Sequence, residues 1–302
     1  MSETLFERMC AALPSVQLLA GESLAKHTSF RIGGPAQVLA CPKTESELRE
    51  VYTFCEAVGA QVHILGGGTN ILAPDHGVSG VVLSTRGLDS LEMNGNKTVT
   101  AGAGVPLARL AIFAQQHGLT GLEFAHGIPG TVGGGMYMNA GAYGGELMQV
   151  AVSARFLTPD GKVLTLTGEE MGLGYRRSAF MGMQGVIVSA TFCLMPGDPK
   201  IIRDRMRELM EKRRASQPLE LPSAGSTFKR PVGGYAAALI QDAGLKGLRV
   251  GGAAVSEKHS GFVVNLGGAT CADVLELIAQ VQARVQAASG IRLEPEVRIW
   301  QE

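Results

Sequence analysis

The chain has 302 residues, of which 45% are hydrophobic and 18% are charged. This composition excludes a disordered or fibrous chain, and the length favours two domains over a single core. Lys plus Arg and Asp plus Glu number 27 each, so no net charge favours nucleic acid or an anionic membrane as a partner.

The five cysteines, at positions 10, 41, 55, 193 and 271, are scattered with no paired spacing. This usage predicts reduced thiols in a cytoplasm rather than a disulfide framework, and no His, Cys, Asp or Glu set has metal-site spacing. The first residues include no apolar core of signal-peptide length, and no run is long enough to span a bilayer. We therefore expect a cytoplasmic protein with no metal, no membrane contact and no obligate protein partner.

The first half of the chain alternates predicted strands and helices. Strands are predicted at residues 36–42, 61–65 and 80–85, and residues 185–198 close this half. Thr44, three residues before a glutamate, predicts a capping box at the start of a helix that Gly59 ends. Asn-Gly at 94–95 and Asp-Gly at 160–161 predict two hairpins, and residues 105–118 predict a helix.

The composition changes after residue 197. Residues 201–217 predict a charged helix that stops before Pro218 and connects two regions. Beyond it, helices are predicted at residues 233–244 and 271–290 and strands at 248–255 and 261–266. Thr270 is the predicted N-cap of the last helix. The sequence thus predicts two α+β regions joined near residues 198–218.

Two glycine-rich segments are candidates for holding an anion. Residues 66–70, GGGTN, follow a predicted strand but lack both the G-x-G-x-x-G fingerprint of a Rossmann fold and the Gly-Lys-Ser/Thr of a P-loop. Residues 126–147 include eight glycines with interleaved apolar and aromatic side chains. Tight turns or a linker would also explain the glycines. The interleaved apolar residues favour a packed loop whose backbone N–H groups cradle a pyrophosphate and a flat ring.

Six motifs in a fixed order carry a resemblance to a known family. They are HTSFRIGGPA (27–36), GGGTNIL (66–72), GIPGTVGGGMYMNAGAYGGE (127–146), GYRRSAF (174–180), AGSTFKRP (224–231) and LEPEVRIW (293–300). Together they resemble the UDP-N-acetylenolpyruvoylglucosamine reductases, also called UDP-N-acetylmuramate dehydrogenases. The resemblance extends from about residue 27 to the end of the chain.

The resemblance implies an α+β fold with a vanillyl-alcohol-oxidase (PCMH-type) FAD-binding region of two α/β subdomains and a smaller substrate domain. On this basis we expect an FAD-binding domain over residues 1–200, with subdomains of about 1–88 and 89–200. The C-terminal substrate-binding domain would comprise residues 201–302.

The implied reaction is a cytoplasmic step of peptidoglycan synthesis, and hence of cell wall biogenesis, cell shape and division. NADPH would reduce bound FAD, and the enolpyruvyl group of the UDP-sugar would then receive the hydride in a ping-pong sequence. The implied ligands are therefore FAD, NADPH and the UDP-sugar.

The resemblance also assigns cofactor-binding residues. They are Arg31, Gly66, Gly67, Gly68, Thr69, Asn70, Gly130, Thr131, Gly133, Gly134, Asn139, Ala140 and Gly141. The two glycine-rich segments would hold the pyrophosphate and line the isoalloxazine ring, and Arg31 would border the same cofactor.

Three residues are implied as catalytic. Arg176 would stabilise the enolate beside the substrate carboxylate, because a guanidinium matches a carboxylate. Ser226 would donate the proton to the carbanion, and Glu296 would share the enolate charge with Arg176. Their alternative interpretations are structural: a solvated turn for Arg176 with Arg177, a cap or turn hydroxyl for Ser226, and a salt bridge to a neighbouring arginine for Glu296.

Tyr175, Lys229 and His259 are candidate substrate-binding residues, and Tyr143 is a further site candidate. Lys229 would pair with the substrate diphosphate, unless it is simply a solvated lysine. Residues 180–197 carry no tyrosine, and the stretch is short, so we expect the shorter type of family member, which lacks the tyrosine loop that folds over the substrate.

Two other functions stay open at this point. One is an FAD oxidase of the same fold with another substrate, which the ordered Arg176, Ser226 and Glu296 motifs disfavour. The other is a non-catalytic flavin- or nucleotide-binding module in which these three residues are structural.

Overall fold

The computed structural model of the chain describes residues 3–300, which divide into two compact units. Unit 1 comprises residues 3–20, Gln37–Gly67 and Gly80–Arg213, and unit 2 comprises Gly21–Ala36, Gly68–Ser79 and residues 214–300. This division differs from the predicted single boundary after residue 200. The early segments belong to unit 2 because they bond to its C-terminal part; the Ser29 hydroxyl, for example, donates to the Ser223 carbonyl at 2.6 Å.

Helices and strands follow one another along the whole described chain. The helices are α1 Leu5–Ala12, α2 Glu45–Val58, α3 Leu107–Gln116, α4 Val132–Met138, α5 Pro199–Ser216, α6 Ala236–Asp242 and α7 Cys271–Ser289. The strands are β1 Gln17–Ser23, β2 Pro35–Cys41, β3 Val62–Leu65, β4 Ile71–Leu72, β5 Val78–Ser84, β6 Leu91–Met93, β7 Thr98–Gly102, β8 Leu119–Thr120, β9 Gly141–Ala142, β10 Gly145–Glu146, β11 Ala151–Leu157, β12 Val163–Thr167, β13 Val186–Cys193, β14 Met195–Pro196, β15 Ser223–Ser226, β16 Arg249–Val250, β17 Ala253–Val255, β18 Phe262–Asn265 and β19 Arg298–Ile299. Among residues 3–300, no helix combines the length and apolar character needed to cross a bilayer.

Unit 1 contains most of one sheet and all of another. The first has the order β1–β2–β5–β3, with β3 and β5 parallel, and its strands lie within residues 17–84. The second has five antiparallel strands in the order β12–β11–β13–β7–β6, within residues 91–193. The turns at 94–95 and 160–161 join β6 to β7 and β11 to β12, as the Asn-Gly and Asp-Gly pairs predict. One buried apolar cluster extends through both sheets.

Local capping places α2 as predicted, with one difference. Thr44 is the N-cap and accepts a hydrogen bond from the Glu47 N–H at 3.1 Å, and Gly59 ends the helix with a φ of 67°. The Glu47 carboxylate, however, accepts from the Lys43 N–H at 2.6 Å. The capping box predicted at Thr44 is therefore only half formed, because the acidic side chain bonds one residue further back.

The second glycine-rich segment includes a helix where the sequence predicts a packed loop. Helix α4, Val132–Met138, contains three consecutive glycines, which disfavour helix in isolation. The close packing of this helix explains its glycines. A Cβ on Gly133 would lie 2.9 Å from Ala103 Cβ, and a Cβ on Gly135 would lie 2.9 Å from a Leu147 methyl carbon. Close tertiary packing therefore stabilises this helix despite the low helix propensity of glycine.

Helix α5, Pro199–Ser216, forms where the sequence predicts a charged helix, but it packs within unit 1 and is not merely a connector. Ile202, Met206 and Leu209 are buried in the apolar cluster of unit 1. Their spacing of four and three residues places them on one helix face. The helix therefore belongs to unit 1, which moves the boundary between the units to residues 213–214.

Unit 2 contains an antiparallel sheet of order β15–β18–β17–β16 and a parallel pair, β4 and β19. Its apolar cluster joins one side of α7 to residues of the sheet. Thr270 caps α7 as predicted, accepting from the Asp273 N–H at 3.0 Å while the Asp273 carboxylate accepts from the Thr270 N–H. Asp75 bonds the N–H groups of Cys271 and Ala272, which ties an early segment of the chain to this helix.

Candidate active site

In unit 1 the first glycine turn lies against the second glycine-rich segment. A Cβ on Gly66 would lie 2.7 Å from Thr131 Oγ1, and a Cβ on Gly67 would lie 2.9 Å from Gly130 Cα. Arg86 donates to the carbonyls of Gly66 and Gly67 at 3.3 and 3.0 Å and so fixes the turn. Glycine is required here because any side chain would separate the two backbones. Arg86 was not singled out from the sequence, although it directly follows a predicted strand.

The cradle formed by the glycine turn at 66–67 and the segment at 130–134 is open beside Thr131 and Gly134. Thr131 Oγ1 is buried and forms no hydrogen bond with any residue of the described chain. Gly134 is exposed, and a Cβ there would meet only Thr131 Oγ1, at 3.8 Å. A buried hydroxyl without a partner is unfavourable unless another group bonds it. The Thr131 hydroxyl has no partner among the described residues and lies next to the open space at Gly134. Both features fit a bound group that carries polar oxygens, as FAD does.

Asn139 ends α4 and is fully engaged within unit 1. It has a φ of 44°, and its amide donates to Glu146 Oε2 and to the Gly174 carbonyl, both at 3.0 Å. Its carbonyl oxygen accepts from the Met148 N–H at 2.9 Å. Both amide hydrogens are therefore used, so the side chain positions the backbone on which Arg176 lies rather than offering a donor to a ligand.

Arg176 lies at the tip of a two-residue turn. Gly174 and Arg177 exchange both backbone hydrogen bonds at 3.1 Å, which leaves Tyr175 and Arg176 as the central residues. Arg176 has a φ of 52° in the second central position, where type II turns favour glycine or asparagine. Its guanidinium lies 5.2 Å from the Tyr175 ring centroid and 3.4 Å from the Gly141 carbonyl. A strained backbone that presents a half-buried arginine is typical of a functional site.

In unit 2, Ser226 and Glu296 are brought close together by backbone pairing. The Glu296 N–H donates to the Thr227 carbonyl at 2.8 Å, and Phe228 and Pro295 form an isolated bridge. Ser226 ends β15 half-buried, and its hydroxyl forms no hydrogen bond with the described residues. The alternative of a capping or turn hydroxyl is therefore not realised. The neighbouring Thr227 hydroxyl instead accepts from the Val263 N–H at 2.9 Å.

The end of the glycine turn, Gly68 to Asn70, belongs to unit 2 and bonds to the segment that contains Glu296. The Asn70 amide donates to the Glu296 carbonyl at 3.1 Å, and the Arg298 N–H donates to the Asn70 carbonyl at 2.9 Å. Gly68 has a φ of 66°, and its carbonyl accepts from the Ser29 N–H at 3.0 Å. Arg31 is exposed in the left-handed region with a φ of 55°. The predicted cofactor residues of unit 2 and the predicted Glu296 thus share one backbone framework.

The candidate substrate-binding residues differ in their surroundings. Lys229 Nζ lies 3.1 Å from Glu294, with both side chains well exposed, and such pairs contribute little stability. His259 Nδ1 accepts from the Gly261 N–H at 3.2 Å, its ring lies edge-on to Phe262, and burial lowers its pKa. Tyr175 is half exposed beneath the Arg176 guanidinium. Across residues 3–300 there is no cluster of three His, Cys, Asp or Glu side chains that could hold a metal ion.

Two known protein families match separate parts of the chain. Residues 36–167 match a family described as an FAD binding domain, which places the chain among FAD-binding proteins. Residues 217–300 match the UDP-N-acetylenolpyruvoylglucosamine reductase C-terminal domain. The predicted α+β fold, with an FAD-binding domain followed by a C-terminal domain, is thereby confirmed.

Individual relatives cover nearly the whole chain. The chain is 46% identical over 291 residues to UDP-N-acetylenolpyruvoylglucosamine reductase of Levilactobacillus brevis, which covers 96% of this chain and 95% of the relative. It is 47% identical over 276 residues to the Clostridium perfringens enzyme, or 91% and 90% of the two chains. The crystal structure of the Thermus caldophilus reductase superposes with a TM-score of 0.81 at 35% identity over 95% of this chain and 99% of that one. The chain belongs to the UDP-N-acetylenolpyruvoylglucosamine reductase family.

Proposed function

We propose that this chain reduces UDP-N-acetylenolpyruvoylglucosamine to UDP-N-acetylmuramate, with NADPH as reductant and FAD as bound cofactor. As a member of its family, it is an FAD-dependent oxidoreductase of peptidoglycan synthesis. The observation that carries the detailed proposal is the Ser226 hydroxyl, which bonds none of the described residues although its neighbour Thr227 pairs with Glu296. A hydroxyl that no described residue engages is what a proton donor in this reaction requires.

The chain's own residues must meet the charge that the reaction creates. FAD, when bound, would supply the redox chemistry: a hydride that originates from NADPH and that the terminal methylene carbon of the enolpyruvyl group accepts. Negative charge then develops on the adjacent carbon of the substrate and spreads into its carboxylate. The protein must stabilise this charge, deliver one proton to that carbon and exclude water.

Arg176 is assigned to the substrate carboxylate. Its planar guanidinium can bond both carboxylate oxygens and stabilise the enolate form more than the ground state. The turn from Gly174 to Arg177 fixes its backbone, so less conformational entropy is lost when the side chain engages the substrate. Arg177 is exposed at the base of the turn and has no assigned role.

Ser226 is assigned as the proton donor to the carbanion carbon. A serine hydroxyl is a weak acid, but a carbanion adjacent to an ether oxygen is a far stronger base, so the transfer is downhill. Glu296 is assigned to the substrate carboxylate, where it shares the developing charge with Arg176 through a hydrogen bond. Its backbone is fixed by Thr227 on one side and by Asn70 on the other.

The cofactor assignments follow the two halves of the glycine-rich framework. Gly66, Gly67, Gly130, Thr131 and Gly134 of unit 1 would contact FAD through backbone groups and the Thr131 hydroxyl. Gly68, Thr69, Asn70 and Arg31 are assigned to FAD by the motifs to which they belong. The other residues assigned to FAD would shape α4 and the turn that follows it; they are Gly133, Asn139, Ala140 and Gly141.

Substrate contacts are proposed for Tyr175, Lys229 and His259. Tyr175 offers an exposed aromatic face beside the proposed catalytic arginine. We further propose the shorter type of family member; residues 179–196 form only a 3₁₀ turn and strands β13 and β14. A cytoplasmic location, and independence from nucleic acid, membrane and obligate protein partners, complete the proposal.

The test is a visible absorption spectrum of the purified protein, taken before and after anaerobic addition of NADPH and then of the enolpyruvyl UDP-sugar. We expect a yellow protein that NADPH bleaches and one equivalent of substrate restores. Bleaching without recovery would assign the chain to the oxidase alternative with another substrate. A protein that cannot be loaded with FAD would contradict the proposal at its first step.

A further inference from the structure

The inference concerns Arg86, an exposed residue just beyond the end of β5. Strands β3 and β5 are parallel, with Leu65 opposite Ser84, so the residues that follow the two strands leave the sheet at the same edge. The first glycine turn follows β3, and Arg86 follows β5. The parallel register therefore explains why this arginine reaches the turn.

The Arg86 guanidinium holds two successive carbonyl groups. Its Nε donates to the Gly66 carbonyl at 3.3 Å, and its Nη2 donates to the Gly67 carbonyl at 3.0 Å. Because the guanidinium is planar and its donors have a fixed geometry, both carbonyls must point to the same side of the turn. One side chain thus fixes the orientation of two consecutive peptide groups.

The direction of these carbonyls determines where the adjacent N–H groups point. In a planar trans peptide, the carbonyl of one residue and the N–H of the next point in opposite directions. The N–H of Gly67 and the N–H of the peptide that joins Gly67 to Gly68 therefore point away from Arg86. Neither N–H donates a hydrogen bond to any residue of the described chain.

These two N–H groups lie close to another donor that the protein leaves unused. A Cβ on Gly66 would lie 2.7 Å from Thr131 Oγ1, which is buried and has no partner among residues 3–300. Successive N–H groups on one side of a turn form a concavity that binds anions. Donors without acceptors are unfavourable unless a bound group accepts from them. A group with several anionic oxygens, such as a pyrophosphate, meets this requirement.

We propose that Arg86 is a positioning residue for the FAD pyrophosphate. By holding the carbonyls of Gly66 and Gly67, it directs the N–H groups of the turn toward the phosphate oxygens. The guanidinium acts through the backbone and lies on the opposite side of the turn from the phosphates. The inference rests on the proposed function, since it requires FAD to bind at the first glycine turn. It assigns a role to a residue outside the six motifs of the sequence.

The test compares the wild-type protein, stripped of FAD, with Arg86→Met, Arg86→Lys and Arg109→Met. Lysine keeps the charge without the planar fork, and methionine has neither. Arg109 is also exposed in unit 1, where it pairs with Asp89 at 3.4 Å, so its variant is the matched control for the loss of one surface charge. For each protein we would measure the FAD dissociation constant by flavin fluorescence and the melting temperature of the apoprotein.

Arg86→Met should raise the FAD dissociation constant about 10- to 100-fold, because hydrogen bonds to charged oxygens lose their alignment. Arg86→Lys should be impaired almost as much, since an ammonium group cannot hold both carbonyls in the same geometry. Arg109→Met should bind FAD like the wild type. All three apoproteins should melt close to the wild-type temperature, because the substituted side chains are exposed.

Hydrogen exchange tests the orientation of the N–H groups directly. In the wild type, FAD should slow the exchange of the Gly67 and Gly68 amides within a peptide that spans residues 64–72. At saturating FAD, Arg86→Met should show less protection in this peptide. Neither measurement depends on turnover.

Four results would overturn the inference while leaving the proposed function intact. The first is wild-type FAD affinity in Arg86→Met. The second is wild-type affinity in Arg86→Lys, which would show that charge alone suffices. The third is unprotected turn amides in the FAD-loaded wild type. The fourth is a loss of FAD affinity in Arg86→Met that an equal loss of apoprotein stability explains. A wild-type protein that binds no FAD would instead overturn the proposed function, and this inference with it.

Discussion

Two regions of the molecule present the proposed catalytic side chains in opposite ways. In unit 1, Arg176 occupies a left-handed backbone conformation at the tip of a turn, a position where glycine is favoured. In unit 2, Ser226 lies at the end of a strand, and Glu296 lies on a segment hydrogen-bonded to the chain that follows that strand. Neither residue of unit 2 has a positive φ.

This difference in backbone conformation means that a functional residue lowers stability in unit 1 but not in unit 2, whatever its chemical role. A left-handed arginine costs about 1 kcal/mol or more relative to a conformation that its side chain favours. An extended serine or glutamate costs nothing comparable. Substitutions at the turn should therefore affect stability and activity in opposite directions, whereas substitutions at the strand should affect activity alone.

The largest effect is expected at Ser226. Ser226→Ala should lower turnover about 10²- to 10⁴-fold, because the carbanion loses its proton donor. Thermal stability and FAD content should not change, since the hydroxyl bonds no described residue. Rapid-mixing absorbance should show that NADPH still bleaches the flavin while substrate recolours it slowly. Ser226→Cys should be milder than Ser226→Ala, and equal rates for the two would contradict the donor role.

Arg176→Gly should separate stability from function at the turn. We expect turnover to fall about 10²- to 10³-fold through loss of charge stabilisation. The free energy of unfolding should stay level or rise by up to about 1 kcal/mol, because glycine accepts the positive φ. Urea denaturation and steady-state kinetics measure the two quantities. Arg177→Gly is the matched control, with near-normal turnover expected; a large loss there would reassign the catalytic arginine.

Adjacent glycines of α4 offer a matched pair for the cofactor cradle. Gly134→Leu should fold and even gain helix stability, since only the Thr131 hydroxyl is near, but should weaken FAD binding at least about 100-fold by filling the cradle. Gly133→Leu should lower stability by about 1–3 kcal/mol or more, because Ala103 leaves no space. Flavin fluorescence and thermal melting distinguish the two. Normal FAD affinity in Gly134→Leu would place the cofactor elsewhere.

His259 should affect stability at acidic pH. Burial lowers its pKa, so between the folded pKa and the unfolded value near 6.5 the unfolded state binds more protons. Stability should therefore decrease as pH falls below about 6.5, and His259→Gln should reduce that slope. His63 and His126 are shifted in the same direction, so part of the slope should persist. Denaturation midpoints measured from pH 7 to pH 5 test this, and an unchanged slope would show that His259 does not contribute.

The smallest effect is expected for the exposed ion pair of Lys229 with Glu294. Lys229→Met should change the free energy of unfolding by less than about 1 kcal/mol. If Lys229 contacts the substrate diphosphate as proposed, KM should rise while Glu294→Gln leaves it nearly unchanged. Equal, negligible changes in the two variants would reduce Lys229 to a surface lysine.

Much of the fold could be predicted from local signals. Thr44 and Thr270 cap the helices they precede, and Asn-Gly and Asp-Gly pairs turn the two hairpins. These signals act within a few residues and need no distant partner. The helix at Val132–Met138 and the packed face of α5 were missed because both depend on distant residues, such as Ala103 against Gly133.

The sequence by itself determined the family, the order of the motifs and the strands and helices with strong local signals. Tertiary structure alone decided that Gly66 and Gly67 face Gly130 and Thr131, that the Thr131 hydroxyl is buried without a partner among the described residues, and that Ser226 is unengaged next to a paired Thr227. The physical reason is that capping and turn formation are short-range. Burial, close backbone approach and the pairing of charges depend instead on residues far apart in the chain.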